Sequence, residues 1–188
     1  MKESGSKVLR TIHIAFLRGI NVGGHKPVKM DELKKAFASL GFGKIKTFIA
    51  SGNVAFEAPE GDPGAFAVRI KDKLKKTFGC EIGVILRTAA DLRKIVDDDP
   101  FRNTAVTPDI KLYITFLPER TSGDFKVPDE SPKKDFRILN VSGKEIFSMV
   151  DLSKGGRTVE AMNTIEKEFG RNVTTRNWNT ILKLLNGL

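Results

Sequence analysis

Apolar positions fall into short runs and helical spacings that succeed one another in a definite order. Residues 12–17 form an apolar run with His13 inside it, the pattern of a buried strand. Met30, Leu33, Phe37 and Leu40 recur at helical spacing. Asp31 and Glu32 stand in the first turn, where the helix dipole favours carboxylates, and Gly41 is placed to end the helix. Residues 45–50 and 53–56 are β-like and separated by Ser51-Gly52, a hairpin signal. Asp62-Pro63 opens a second helix, with Phe66, Ile70, Leu74 and Phe78 as its buried stripe and Gly79 as its stop. Residues 81–86 read as the next strand. Strand, helix, strand, strand, helix, strand is the order of a ferredoxin-like βαββαβ unit, predicted for residues 11–87 after a loose tail at 1–10.

The remaining chain repeats the element types without repeating the residues. Thr88 and Asp91 have capping-box-like spacing before a helix carrying Leu92, Ile95 and Val96. Residues 111–117 read as a strand, and 118–134, rich in Pro, Ser, Asp and Lys, as a surface loop. Residues 136–140 and 145–150 flank Ser142-Gly143 and predict a second hairpin. Val159, Met162, Ile165 and Phe169 mark a helix stopped by Gly170, and a last helix runs from about 177 to 185. The fold class expected is therefore α+β. The ferredoxin-like unit is followed, over residues 88–188, by a second mixed α+β subdomain with an antiparallel hairpin and C-terminal helices, packed against the first.

Charge changes the picture more than composition does. Lys and Arg exceed Asp and Glu by 32 − 23 = +9. Residues 1–94 hold 18 basic and 9 acidic side chains, 18 − 9 = +9, while residues 95–188 balance at 14 − 14 = 0. An anion-attracting surface is therefore expected in the N-terminal half. The plainer explanation for most of these lysines is solvation of helix faces. Arg69, Lys73 and Lys76 on one flank of the second helix, with Lys71 and Lys75 on the other, fit that explanation.

One cysteine, Cys80, makes no internal disulfide, and two histidines add too few soft ligands for a structural zinc site. Asp97-Asp98-Asp99-Pro100 is contiguous, whereas calcium loops alternate their ligands, so it reads as a solvated helix end. No metal and no cofactor are expected. No apolar run approaches a membrane span, and the first ten residues lack a signal-peptide core. A cytoplasmic protein without a membrane partner is expected.

Three segments are dressed for polar ligands. In the loop after the first strand, Gly19, Gly23 and Gly24 free the backbone to turn N–H groups toward an anion, with Arg18, His25, Lys26 and Lys29 as cations and Asn21 as a neutral donor. Gly19 and Gly24 have the spacing of a nucleotide P-loop, but His25 stands where the lysine must, so an NTPase is rejected. The second segment is Ser51-Gly52-Asn53, equally explicable as turn chemistry; which end of the sheet it occupies decides whether it approaches Arg18. The third is Thr174-Thr175-Arg176-Asn177-Trp178-Asn179-Thr180, in which Thr175 or Asn177 could cap a helix and Trp178 reads as a core anchor. Arg157-Thr158 after Gly155-Gly156 repeats the theme of a glycine turn, an arginine and a helix start. Neither histidine has an evident serine or cysteine partner, so no catalytic residue is assigned.

Phe16-Leu-Arg-Gly-Ile-Asn-Val-Gly-Gly24, Val28-Lys-Met30, Thr47 through Ser51-Gly-Asn-Val54 and Thr175-Arg-Asn-Trp-Asn-Thr180 together resemble the bacterial domain-of-unknown-function family numbered 1697. The resemblance runs over about residues 11–188 and implies an α+β fold of ferredoxin-like topology. It implies no activity, substrate or catalytic residue.

The function expected from the residues is binding of an anionic, phosphate-bearing ligand, either a small molecule or nucleic acid. Arg18, Asn21, Gly23, Gly24, Lys26 and Lys29 would hold the anion, Ser51 and Asn53 would orient it, and Arg176 and Asn177 would close the site. The alternatives are a small enzyme acting on an anionic substrate without a metal or a nucleophilic triad, and a protein-interaction module. Base reading of the RRM kind is disfavoured, because Phe56 is the one aromatic in the strand after Asn53.

Overall fold

The computed structural model describes residues 9–20, 28–48, 52–120, 131 and 133–188. The chain forms two compact units, Met1–Asp91 and Leu92–Leu188. The first contains β1 (Arg10–Arg18), α1 (Met30–Ala38), β2 (Gly43–Phe48), β3 (Asn53–Pro59), α2 (Pro63–Phe78) and β4 (Gly83–Thr88). Its strands lie in the order β2-β3-β1-β4, every neighbouring pair antiparallel. That is the ferredoxin-like arrangement, with both crossover helices on one face.

Ala15 and Leu17 of β1 and Val54, Phe56 and Ala58 of β3 form a core with Leu33 and Phe37 of α1 and Phe66, Ile70 and Leu74 of α2. Its centre is aromatic. Phe56 meets Phe42 at 4.5 Å and Phe37 at 5.3 Å between ring centroids, and Phe42 meets Phe66 edge-on at 5.7 Å. Such contacts add about 0.5–1.5 kcal/mol each beyond the area they bury.

The local signals read from the sequence have physical counterparts. Asp62 accepts the N–H groups of Gly64 and Ala65, both at 3.0 Å, a cap worth about 1 kcal/mol, and Gly79 ends α2 in the left-handed region at φ 73°. Thr88 and Asp91 exchange hydrogen bonds, Asp91 N–H to Thr88 Oγ1 at 3.0 Å and Thr88 N–H to Asp91 Oδ2 at 3.2 Å. They open α3 (Ala89–Asp97), within which one unit gives way to the other.

The second unit contains β5 (Ile110–Phe116), β6 (Phe136–Ser142), β7 (Glu145–Asp151), a 3-10 turn (Leu152–Lys154), α4 (Thr158–Phe169), β8 (Thr174–Asn177) and α5 (Trp178–Asn186). Its sheet order, β6-β7-β5-β8 and again antiparallel throughout, reproduces the first with β5 in the place of β1. Tyr113, Ile146 and Val150 pack with Ala161 and Ile165 of α4. Elsewhere in this unit Phe101 sets its ring edge against Phe147 at 5.8 Å and Trp178 at 5.0 Å. Both sheets carry a register shift on the pairing of their outermost hairpin strand, between Gly43 and Lys46 in β2 and between Ile138 and Asn140 in β6. β8 is a difference from the sequence-based expectation, in which this polar segment only precedes the last helix.

Among the described residues, no helix is long and apolar enough to cross a membrane.

Candidate functional site

Gly19 of the first polar segment and Gly52 and Asn53 of the second stand at the end of the first sheet where β1 stops. Leu17 donates its N–H to the Gly52 carbonyl at 2.7 Å, so Gly52, just before β3, lies against the end of β1. Gly52 is required there. Its φ is 80°, and a Cβ would stand 2.9 Å from Ile20 Cδ1 and 3.0 Å from the Leu17 carbonyl oxygen. Ile20, 6% exposed, closes over the turn and joins the core. The position of the turn relative to Arg18, open from the sequence, is thus the same sheet end.

Arg18 is half-buried and pairs in register with Gly83 of β4, where a Cβ would approach its own Cβ to 3.1 Å. By strand alternation it shares a sheet face with Phe16 and with Asn53, Phe16's partner across the ladder. Asn53 is 1% exposed, and its amide donates to the Phe48 carbonyl at 3.3 Å, closing the hairpin. Lys29, exposed, occupies the N-cap position of α1 without a side-chain cap bond. Arg18 and Lys29 therefore share an end of the unit but stand in different layers, one on the sheet and one at the head of the helix layer. Asn21, Gly23, Gly24, Lys26 and Ser51, with His25, lie outside the described residues.

On α2, Lys71 and Lys75 converge on Glu81, at 3.7 and 2.5 Å. Arg69 donates to the Leu40 carbonyl at 3.0 Å and lies 5.8 Å from the Phe42 ring centroid. These cations solvate the helix and brace its ends.

The third segment belongs to the second unit. Thr175 shares a 2.7 Å hydrogen bond with Thr115 across the β5–β8 ladder, and Asn177 accepts the Asn179 N–H at 3.0 Å as the N-cap of α5. Arg176 donates to Thr174 Oγ1 and to the Thr175 carbonyl, both at 2.8 Å. Burial pulls its guanidinium down to about 10, which leaves it charged at neutral pH. Trp178 is 8% exposed and packs on Phe101, as a core anchor does.

His13 is buried, stacked on Phe56 at 5.6 Å and edge-on to Phe66 at 5.7 Å. Burial lowers its pKa, Asp91 opposing the shift, so it is neutral. Phe56 is itself fully buried on the helix side, away from any base-stacking role. Among the described residues, no three His, Cys, Asp or Glu side chains cluster as metal ligands.

Sequence reasoning missed a corner in the second unit, where Ser131 and Asp135 clasp one another beside the Gly155-Gly156-Arg157 turn. The paired glycines were its visible trace. The buried acid was not visible, because nothing in Lys134-Asp135-Phe136 distinguishes it from a surface aspartate.

No curated protein matches the chain. A solved structure of a conserved bacterial protein from Streptococcus pneumoniae superimposes with a TM-score of 0.71 at 18% identity, covering 95% of this chain and 98% of that one. At that identity the likeness speaks for the fold alone. The family described as "Protein of unknown function (DUF1697)" matches residues 10–147, a span that includes the glycine loop and the first hairpin and ends before Thr175–Thr180. A match over most of the chain shows that this protein belongs to the DUF1697 family.

Proposed function

We propose that the chain is a binding domain for an anionic, phosphate-bearing ligand, nucleic acid being one form of it, held at the end of the first sheet where β1 stops. The observation that supports this reading is the Leu17–Gly52 hydrogen bond, which holds Gly52 against the end of β1, the strand that leads into the glycine loop. Arg18 and Lys29 flank that loop in sequence and supply charge to either side of it. Successive glycines let backbone N–H groups face a phosphate without steric penalty, and the charge excess of residues 1–94 draws anions toward this half. In this reading Asn21, Gly23, Gly24, Lys26 and Ser51 contact the anion. Asn53, whose amide closes the hairpin, holds the turn in place. Arg176 and Asn177 are occupied in their own strand-to-helix corner, and the reading does not require them.

The test is fluorescence anisotropy with labelled single- and double-stranded DNA and RNA from about 50 to 200 mM salt, with thermal shifts in inorganic phosphate and pyrophosphate alongside. Binding that weakens steeply with salt and drops in the Arg18→Ala/Lys29→Ala double variant is the expected result. Flat anisotropy with all four nucleic acids, together with no stabilisation by either phosphate, would remove the proposal.

A further inference from the structure

The second unit contains a cleft of about 220 Å³ between the first two turns of α4 and the corner leading into β6. Short-range chemistry fixes its walls. Ser131 Oγ accepts the backbone N–H groups of Asp135 and Phe136, both at 3.1 Å, and donates to Asp135 Oδ1 at 2.5 Å. Asp151 N–H donates to the Asp135 carbonyl at 2.8 Å and fastens the corner to the end of β7. The chain then passes the same carbonyl at Gly156. A Cβ there would stand 2.7 Å from the Asp135 oxygen and 2.6 Å from the Asp151 oxygen, so only glycine fits. Beyond it Arg157, at the N-cap of α4, and Glu160, Ala161 and Thr164 on one face of that helix make the opposite wall.

The cleft carries charge of both signs. Asp135 lines it yet is only 8% exposed. Among the described residues, the Ser131 hydroxyl is the one side chain bonded to its carboxylate. A buried carboxylate so lightly compensated favours a cation beside it. Lys133 and Arg157, both exposed, carry positive charge on the same cleft, and Phe136 and Ala161 provide apolar surface. The Arg157–Glu160 pair is long, 3.9 Å, and exposed, so it leaves the guanidinium able to turn toward a ligand. The volume lies below the ~300–1,000 Å³ of pockets for drug-sized molecules, which calls for a small occupant. Two carboxylates, Asp135 at the floor and Glu160 on the rim, two cations, Lys133 and Arg157, and an apolar wall complement a zwitterion, a molecule with an ammonium group near a carboxylate. We infer that this cleft binds a free amino acid, with its ammonium on Asp135 and its carboxylate between Lys133 and Arg157. The site is built from the second unit alone and is independent of the anion site proposed above.

The test is isothermal titration calorimetry of the full chain with the common amino acids as probes. Each is paired with an analogue lacking the amine, such as propionate or isocaproate, and one lacking the carboxylate, such as ethylamine or isoamylamine. At least one amino acid should bind while both of its analogues fail. Asp135→Asn, which keeps the side-chain shape and a partner for Ser131, should weaken binding roughly tenfold or more. Lys133→Ala/Arg157→Ala, at exposed positions that leave the fold intact, should weaken it as well. Arg18→Ala/Lys29→Ala should change nothing, which separates this site from the first. Silence from every amino acid, affinity unchanged in both Asp135→Asn and the rim variant, or amines binding as tightly as amino acids would overturn the inference.

Discussion

The two units share one strand order and fill it with different chemistry. In the first, α1 carries the chain from the central strand to the outer hairpin, and the core beneath the helices is a cluster of phenylalanines around Phe56. In the second, the corresponding connection runs over residues 117–135, whose described residues contain no helix. The sheet face toward α4 mixes aliphatic side chains with hydroxyls. Tyr113 bonds Thr158 at 2.8 Å, Thr115 bonds Thr175 at 2.7 Å, and Ser148 lies fully buried with no partner for its Oγ among the described residues. The antiparallel order 2-3-1-4 demands alternation and connections of sufficient reach, not particular residues. One topology thus accepts an aromatic core and a hydroxyl-bearing one, which is why the likeness of the halves does not register as a sequence repeat.

That contrast can be broken first where the aromatic cluster is densest. Phe56→Ala should cost about 3–5 kcal/mol in urea denaturation, since it empties the centre of the first core. A loss below ~1 kcal/mol would show that the phenylalanines do not hold that sheet. In the second unit the informative change is smaller. Thr115→Val strands the Thr175 hydroxyl and should cost about 1 kcal/mol, and adding Thr175→Val should restore most of it. No recovery in the double variant would mean that packing, not hydroxyl pairing, sets the cost.

The smallest effect concerns pH. His13 is held neutral by burial, so its folded pKa lies below the unfolded value of 6.5 and the unfolded chain takes up the proton more readily. Its contribution is fully present above 6.5 and is lost as pH falls from there toward the lower folded value. Urea midpoints across that range should decline with acid in the wild type and decline less in His13→Phe. Identical slopes would assign the acid sensitivity to other groups.

Local chemistry was legible and long-range pairing was not. Asp62-Pro63, the Thr88–Asp91 spacing and Gly79 specify helix ends within a few residues, and a reader of the sequence finds them because their partners are adjacent. β8 escaped because Thr174–Asn177 has no alternation of its own; its strand character comes from the ladder with β5. The candidate site divides in the same way. Gly52 is a turn glycine to any reading, but that it must be glycine because Leu17 and Ile20 crowd it follows only once β1 and β3 are neighbours. Asn53 and Asn177 show the converse: polar residues that look free for a ligand are used by the backbone beside them.

The paired irregularities on β2 and β6 have a consequence for how these molecules meet one another. Each strand ends its sheet and could offer an open ladder to a second copy. In β2 the shift includes Lys44, held at φ 43°, and is followed by the exposed Lys46. In β6 the slip falls at mid-strand, between Ile138 and Asn140. A strand with an extra residue twists and cannot match a straight neighbour over its length. At high concentration these rims should resist growth into cross-strand fibrils, a safeguard written at the same place in both halves of the protein.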